Sequence, residues 1–338
     1  MRQVSIVRYE RTRDCALNLK IQSLRFLHGP SLFARRRRVL SRATIGAFIR
    51  REGSFRHLHN RRRKRLSSKK LDIFILKNKA LKIRRTILKI THAARCGHPG
   101  GSLSAVEILL SLYNYTMNHN PKKPDWDDRD RLIVSKGHIT PAVYSVLADC
   151  GYFPEEELKT FRKFNSRLQG HVHTKVPGIE FNTGSLGHGL SVANGMALGA
   201  KMLKKEIKVY CLMGDGEIQE GSVWEAAMAA AHYKIDNVCA IVDYNKVQEN
   251  GLVKDIKDLE PLVDKWKSFG WQTFEVDGHD FKAICDALDQ ASQTSGKPTV
   301  IIAHTIKGKG VSFMEGNRKW HGKAPNDEQL EKALKELE

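Results

Sequence analysis

Residues 209–246 read VYCLMGDGEIQEGSVWEAAMAAAHYKIDNVCAIVDYNK, two apolar runs that each stop at a polar residue. Asp215 follows the first run, and Asp243, Tyr244 and Asn245 close the second. Short apolar runs of this kind read as strands buried on both faces, and VWEAAMAAAHYK between them reads as a helix. A strand–helix–strand crossover of the usual right hand brings the carboxyl ends of both strands to one sheet edge. Asp215 and Asn245 are therefore expected to face one crevice.

The chemistry of that crevice follows from its residue types. Gly214 and Gly216 let a ligand approach the backbone, and the helix after GDGEIQEG offers free N–H groups to a phosphate. Asp215 and Asn245 offer oxygen ligands to a hard divalent cation such as Mg²⁺. Each feature alone also suits a plainer role, GDG as a tight turn and Asn245 as a capping amide. Glycines, acid, amide, strand context and spacing together describe a site shaped for a metal-bridged diphosphate.

Outward from this unit, strands are expected at RLIVS (131–135), VYCLM (209–213), VCAIVD (238–243), WQTFEVD (271–277) and TVIIAHT (299–305). Helices are expected at KNKALKIRRTILKITHAA, SAVEILLSLYNYTM, GLSVANGMALGAKMLKK and the polar C-terminal NDEQLEKALKELE. Apolar strands alternating with helices imply one doubly wound α/β domain over residues 71–338, a mainly parallel sheet with helices on both faces.

The net charge of +20 does not belong to that domain. Residues 1–70 carry 21 Lys and Arg against 3 Asp and Glu, and the rest is almost neutral with 36 basic and 34 acidic residues. The basic segment is Arg-rich, with RRRR at 35–38 and RRRKR at 61–65. It reads as an extension that is disordered or foreign to the native domain; a presequence and a nucleic-acid arm are the other readings. The six cysteines form no C-x-x-C pair, and Cys211 and Cys239 sit in apolar runs, which suits free thiols of a reducing compartment. No apolar run approaches the ~20 residues of a membrane span, so a cytoplasmic, membrane-free protein is expected.

GDG, then 28 residues, then Asn245 resembles the thiamine diphosphate signature. The flanking blocks resemble transketolases in particular: CGHPGGSLS (96–104), KPDWDDRDRLIVSKGH (123–138), LQGH (168–171), TGSLGHG (183–189), VDYNKVQ (242–248) and WHGKAP (320–325). They run collinearly over residues 71–326. The resemblance implies the diphosphate-binding domain of the thiamine diphosphate-binding fold, with thiamine diphosphate and Mg²⁺ (Ca²⁺ or Mn²⁺ substituting) as cofactors. Asp215, Asn245 and the carbonyl of Val247 would hold the metal, and Gly214 and Gly216 would meet the diphosphate. Gly184 and Leu186 belong to the loop beside the aminopyrimidine ring. His98, His138, His171 and His321 match histidines around cofactor and substrate, where imidazoles suit proton transfer with sugar hydroxyls. Glu220 matches the acid that bonds across a subunit interface to the glutamate activating the ring.

The family reaction is transfer of a two-carbon ketol unit from a ketose phosphate to an aldose phosphate, a step of the pentose phosphate pathway. Complete transketolases continue into a pyrimidine-binding domain, whereas this sequence ends at Glu338. A split enzyme is expected, with a separate C-terminal subunit carrying the pyrimidine-binding domain and an α2β2-type assembly. Two residues depart from the commoner pattern: His188 stands where glutamine is usual, and Glu249 where an apolar residue near the thiazolium is usual. The alternatives are a deoxyxylulose-phosphate synthase-like or 2-oxoacid dehydrogenase α-like subunit, disfavoured by GHPGG together with HGKAP. A non-catalytic protein with a nucleic-acid-binding arm is disfavoured by the intact ligand set.

Overall fold

The computed structural model describes residues 72–338, so the readings for the basic segment 1–70 lie outside the described residues. Five parallel strands form one sheet: β1 (Arg131–Val134), β2 (Val209–Gly214), β3 (Val238–Tyr244), β4 (Gln272–Asp277) and β5 (Thr299–His304). Their order across the sheet is β1-β2-β3-β5-β4. All five occupy the expected segments.

The period of two explains why the inner strands β2 and β3 are apolar almost throughout, whereas the edge strand β4, QTFEVD, is only partly buried. On β2, Tyr210 and Leu212 join one core while Val209, Cys211 and Met213 join the other. On β3, Cys239 and Ile241 alternate in the same way with Ala240, Val242 and Tyr244. A strand covered on both sides has no solvent face, so no polar alternation survives in the sequence.

The first core is covered by α1 (Ile73–Ala94), α2 (Pro99–Ser104), α3 (Val106–Ser111) and α4 (Thr140–Asp149), and on the sheet's other face lie α5 (Gly189–Met202) and α6 (Gly221–His232). The rest of the chain adds α7 (Val253–Ile256), α8 (Leu262–Ser268), α9 (Phe281–Gln293) and α10 (Asp327–Glu336). The Asp72 carboxylate caps α1 by accepting the Ile75 N–H at 3.0 Å. Leu76, Ala80, Ile83, Ile87, Leu88 and Ile90 form its buried stripe.

The helix expected over SAVEILLSLYNYTM is not one regular rod. It is broken at Ala105, and after α3 residues Leu112–Thr116 wind as a π-helix. Leu112 and Tyr113 are buried there while Asn114 and Tyr115 are only partly so. The wider turn shifts which side chains face the core, which a search at constant period does not detect. The helix after GDGEIQEG begins at Gly221, following a 3-10 turn over Glu217–Gln219. Among the described residues no helix is long and apolar enough to cross a membrane. Cys96, Cys150, Cys211, Cys239 and Cys285 are free thiols, as expected.

Ile87 has no exposed surface and sits midway along α1. Ile87→Ala should lower unfolding free energy by about 2–5 kcal/mol in urea denaturation. A change within about 0.5 kcal/mol, typical of surface positions, would show that α1 does not belong to the cooperative core.

Candidate active site

The parallel register sets Gly214 beside Asp243, so the loops leaving β2 and β3 start at the same level. Asp215 and Asn245 are both buried at those ends. Each first shapes its own turn. The Asp215 carboxylate accepts the N–H of Gly216 at 2.7 Å and that of Lys246. Asn245 Oδ1 accepts the N–H of Val247 at 3.1 Å. Gly216 has an ordinary φ of −61°, but a Cβ there would lie 2.7 Å from Gln248 Oε1. No dihedral strain holds this position to glycine, and the close neighbour is the end of a flexible side chain.

Burial, and then the neighbouring charge of Asp243, push the Asp215 carboxyl up to about 6, although its two backbone donors oppose the shift. A cation beside it would restore the ordinary ionised form. Among the described residues no three His, Cys, Asp or Glu side chains converge as a metal cage. The oxygens present are one carboxylate, one amide and the Val247 carbonyl. The Lys307 ammonium already donates to that carbonyl at 2.8 Å, leaving its second lone pair. This donor set fits Mg²⁺ only if a bound phosphate supplies further oxygens, the usual manner for that ion.

Under Asp215 lies a buried ion pair. Lys136, just beyond β1, donates to the carboxylate of Asp243 on β3, which also accepts from the hydroxyls of Ser104 (2.6 Å) and Thr305. Burial works against the Asp243 charge, but Lys136 and the two hydroxyls hold its carboxyl below the usual range. Glu217 is a second buried carboxylate, accepting from the Ser135 hydroxyl and from the N–H groups of Gly187 and Gly214 at 3.0 Å each. It ties the 184–189 loop to the end of β2.

Four imidazoles from four chain segments close the other side. Ring centroids are 5.0 Å apart for His98 and His138, 5.3 Å for His138 and His321, 5.4 Å for His98 and His321, and 6.2 Å for His98 and His171. Burial and then His171 lower His98 to about 4, and burial and then Lys307 lower His321 to about 3. Burial and then Lys136 push His138 well down as well. These three rings are therefore neutral at pH 7. Lys307 Nζ lies 3.0 Å from His321 Nδ1, and an ammonium can only donate, so Nδ1 accepts and the ring proton sits on Nε2. Burial, then repulsion from Lys136, lowers Lys307 to about 8. His98 Nδ1 is buried without a hydrogen-bond partner, a polar atom oriented toward no protein group.

Lys136, Glu217, Lys307 and the four histidines line one cleft of about 410 Å³ together with Gly184, Leu186, Gly214, Asp215, Gly216, Glu220, Asn245 and Val247, so every residue expected from the sequence is there. Leu186 (41% exposed) and the exposed Glu220 form an open rim. Glu249 is exposed at the lip, and its charge acts on Lys307 to raise its pKa against the net lowering. His188 is exposed at the N-cap of α5. Lys136, Glu217 and Lys307 were not singled out from the sequence, and Asp243 was noted only as closing the second apolar run. The rule applied to the ends of β2 and β3 would have found Lys136 and Lys307, since VSKGH and HTIKG place each lysine just past β1 and β5.

The family described as "Transketolase, thiamine diphosphate binding domain" matches residues 76–337. An apulose-4-phosphate transketolase subunit from Phocaeicola vulgatus is 46% identical over 256 residues, 76% of this chain and 91% of that protein. The 6-deoxy-6-sulfo-D-fructose transketolase subunit SqwG from Clostridium sp. is 44% identical, covering 78% of this chain and 96% of that protein. The crystal structure of transketolase from Campylobacter jejuni superposes with a TM-score of 0.75 at 36% identity, covering 79% of this chain but only 43% of that one. The family match over residues 76–337 and relatives matched over nearly their whole length, together with a fold shared with larger transketolases, show that this chain belongs to the transketolase thiamine diphosphate-binding domain family.

Proposed function

We propose that this chain is the cofactor-binding half of a two-chain transketolase, moving a two-carbon ketol unit from a ketose phosphate to an aldose phosphate. The observation that carries the reading is the convergence of Asp215, Asn245 and four histidines on one cleft at the carboxyl edge of the sheet. Thiamine diphosphate, when bound, supplies the carbon centre that takes up and passes on the ketol unit. Asp215, Asn245 and the Val247 carbonyl would hold Mg²⁺, with Gly214 and Gly216 beside the diphosphate and Lys307 adding positive charge.

The neutral rings of His98, His138 and His321 can hold sugar hydroxyls by hydrogen bonds, with His171 at the cleft edge. Their low basicity keeps them from accumulating positive charge next to Lys136 and Lys307. Gly184 and Leu186 would flank the aminopyrimidine. Glu220 would meet a glutamate of the pyrimidine-binding domain, brought by a C-terminal partner chain in an α2β2-type assembly. Exposure of Leu186 and Glu220 suits a rim that another chain completes. The enzyme would work in the cytoplasm. The relatives' names carry apulose 4-phosphate and 6-deoxy-6-sulfofructose, so the substrate class here is a ketose with a terminal anionic group, of which pentose phosphate pathway sugars are one case.

Ketol transfer from xylulose 5-phosphate to ribose 5-phosphate, with Mg²⁺ and thiamine diphosphate, should appear only when the chain is mixed with its C-terminal partner. Full turnover by this chain alone would sink the two-chain reading.

Asp215 also makes a prediction without the partner. Its folded pKa of about 6 exceeds the ordinary 3.8, so the folded metal-free chain binds a proton that the unfolded chain releases. Asp215 therefore costs stability progressively as pH rises from about 4 through about 6. Relative to Asp215→Asn, the metal-free wild type should lose stability across that window in urea unfolding. Mg²⁺ with thiamine diphosphate should reverse the loss in the wild type only, and an identical pH profile for the two proteins would contradict the assignment.

A further inference from the structure

His279 follows β4 and stands behind the cleft, largely buried with its side chain 12% exposed. Its Nε2 lies 2.9 Å from the backbone nitrogen of Ile306. A backbone N–H only donates, so Nε2 is the acceptor and the ring proton sits on Nδ1. Nδ1 in turn lies 3.0 Å from Glu107 Oε2 and donates to it. The tautomer is thus fixed at both ends.

Glu107, on α3, is buried, and Arg84 of α1 approaches both of its oxygens at 2.8 Å. Burial works against its charge, but His279 and Arg84 together hold the carboxyl below the usual range. Arg84 also reaches past it, donating from Nε to the carbonyl of Lys309 at 3.0 Å. One buried cluster therefore grips the 306–309 turn at two points, the Ile306 N–H through His279 and the Lys309 carbonyl through Arg84. Between these anchors, Gly308 donates to the Gly100 carbonyl at 2.9 Å. The residue so presented is Lys307, whose ammonium meets the Val247 carbonyl and His321 on the cleft side.

We propose that His279 is a positioning residue of this site, fixing the 306–309 turn so that Lys307 is held against Val247 and His321. A lysine stem has several rotatable bonds and loses much freedom when its end is fixed. Anchoring the backbone on both flanks leaves only the stem to be ordered. Retention of Lys307 by this cluster stands on its own geometry; its consequence for cofactor affinity rests on the function proposed above.

Amine-reactive labelling of the full chain, read residue by residue by mass spectrometry, tests the assignment. Lys136 is the internal reference, because it is as buried as Lys307, at 2% exposure. His279→Phe keeps a ring but removes both hydrogen bonds, and should speed labelling of Lys307 about tenfold or more, with Lys136 unchanged. His279→Gln keeps one donor and one acceptor and should stay near the wild-type rate. Equal Lys307 labelling in H279F and wild type would overturn the proposal, and so would parallel acceleration of Lys136 and Lys307, the mark of general loosening. Should H279F not fold, hydrogen exchange in the unaltered chain decides: a protected Ile306 amide supports the bond to His279, and exchange at an open amide's rate overturns it. Thiamine diphosphate titration in parallel separates the two claims. Faster Lys307 labelling without weaker cofactor binding would uphold His279 and count against the cleft as the cofactor site.

Discussion

The arrangement of the site depends on one buried carboxylate. Asp243 has no exposed surface, yet it receives Lys136 from the end of β1, Ser104 from the end of α2 and Thr305 from just beyond β5. Three strand ends and a helix end are thereby held around a single point on β3. An apolar replacement of such a pair is often neutral or stabilising, so the pair is weak evidence for a role in stability. The pair stands among the functional groups instead: after burial, Asp243 adds to the rise of Asp215 while Lys136 opposes it, and Lys136 adds to the lowering of His138 and Lys307 while Asp243 opposes it at Lys307. The cleft floor is a charge arrangement before any ligand arrives.

A second consequence is the division between floor and rim. Floor groups are buried and cross-linked, with Glu217 holding the 184–189 loop to β2 through Gly187 and Gly214. Gly187 takes a positive φ of 85°, and a Cβ there would meet Ser222 and Glu220 within 2.8 Å, so this loop packs tightly against the start of α6. At the rim, Leu186 and Glu220 are exposed. A site rigid beneath and open above suits a cofactor gripped by its diphosphate end and covered by another surface.

Strands β1, β2, β3 and β5 were legible because burial on both faces leaves apolar runs, with β4 the polar exception at the edge, and the site was legible wherever a residue type and its strand end coincided. Asp215, Asn245 and the histidine motifs are of that kind. Lys136 and Asp243 also stand at strand ends, but their pairing across 107 positions is encoded by no local pattern. His279 is a plainer case: in VDGHD it looks like a turn residue, and its importance appears only once Glu107 and Ile306 are brought to its two nitrogens. The π-helical segment at Leu112–Thr116 stayed hidden because its sequence is ordinary helix until the turn widens. Glu249 could be weighed only as a departure from the family pattern; its place at the exposed lip, within electrostatic reach of Lys307, needed the fold.

The crevice between the ends of β2 and β3 is proposed to hold a metal-bridged diphosphate. The direct measurement is anomalous diffraction from crystals of this chain with its partner, grown with Mn²⁺ and thiamine diphosphate. One strong anomalous peak is expected within coordination distance of Asp215, Asn245 and the Val247 carbonyl, with diphosphate density completing the shell. A peak elsewhere, or cofactor bound with these three oxygens unengaged, would contradict it.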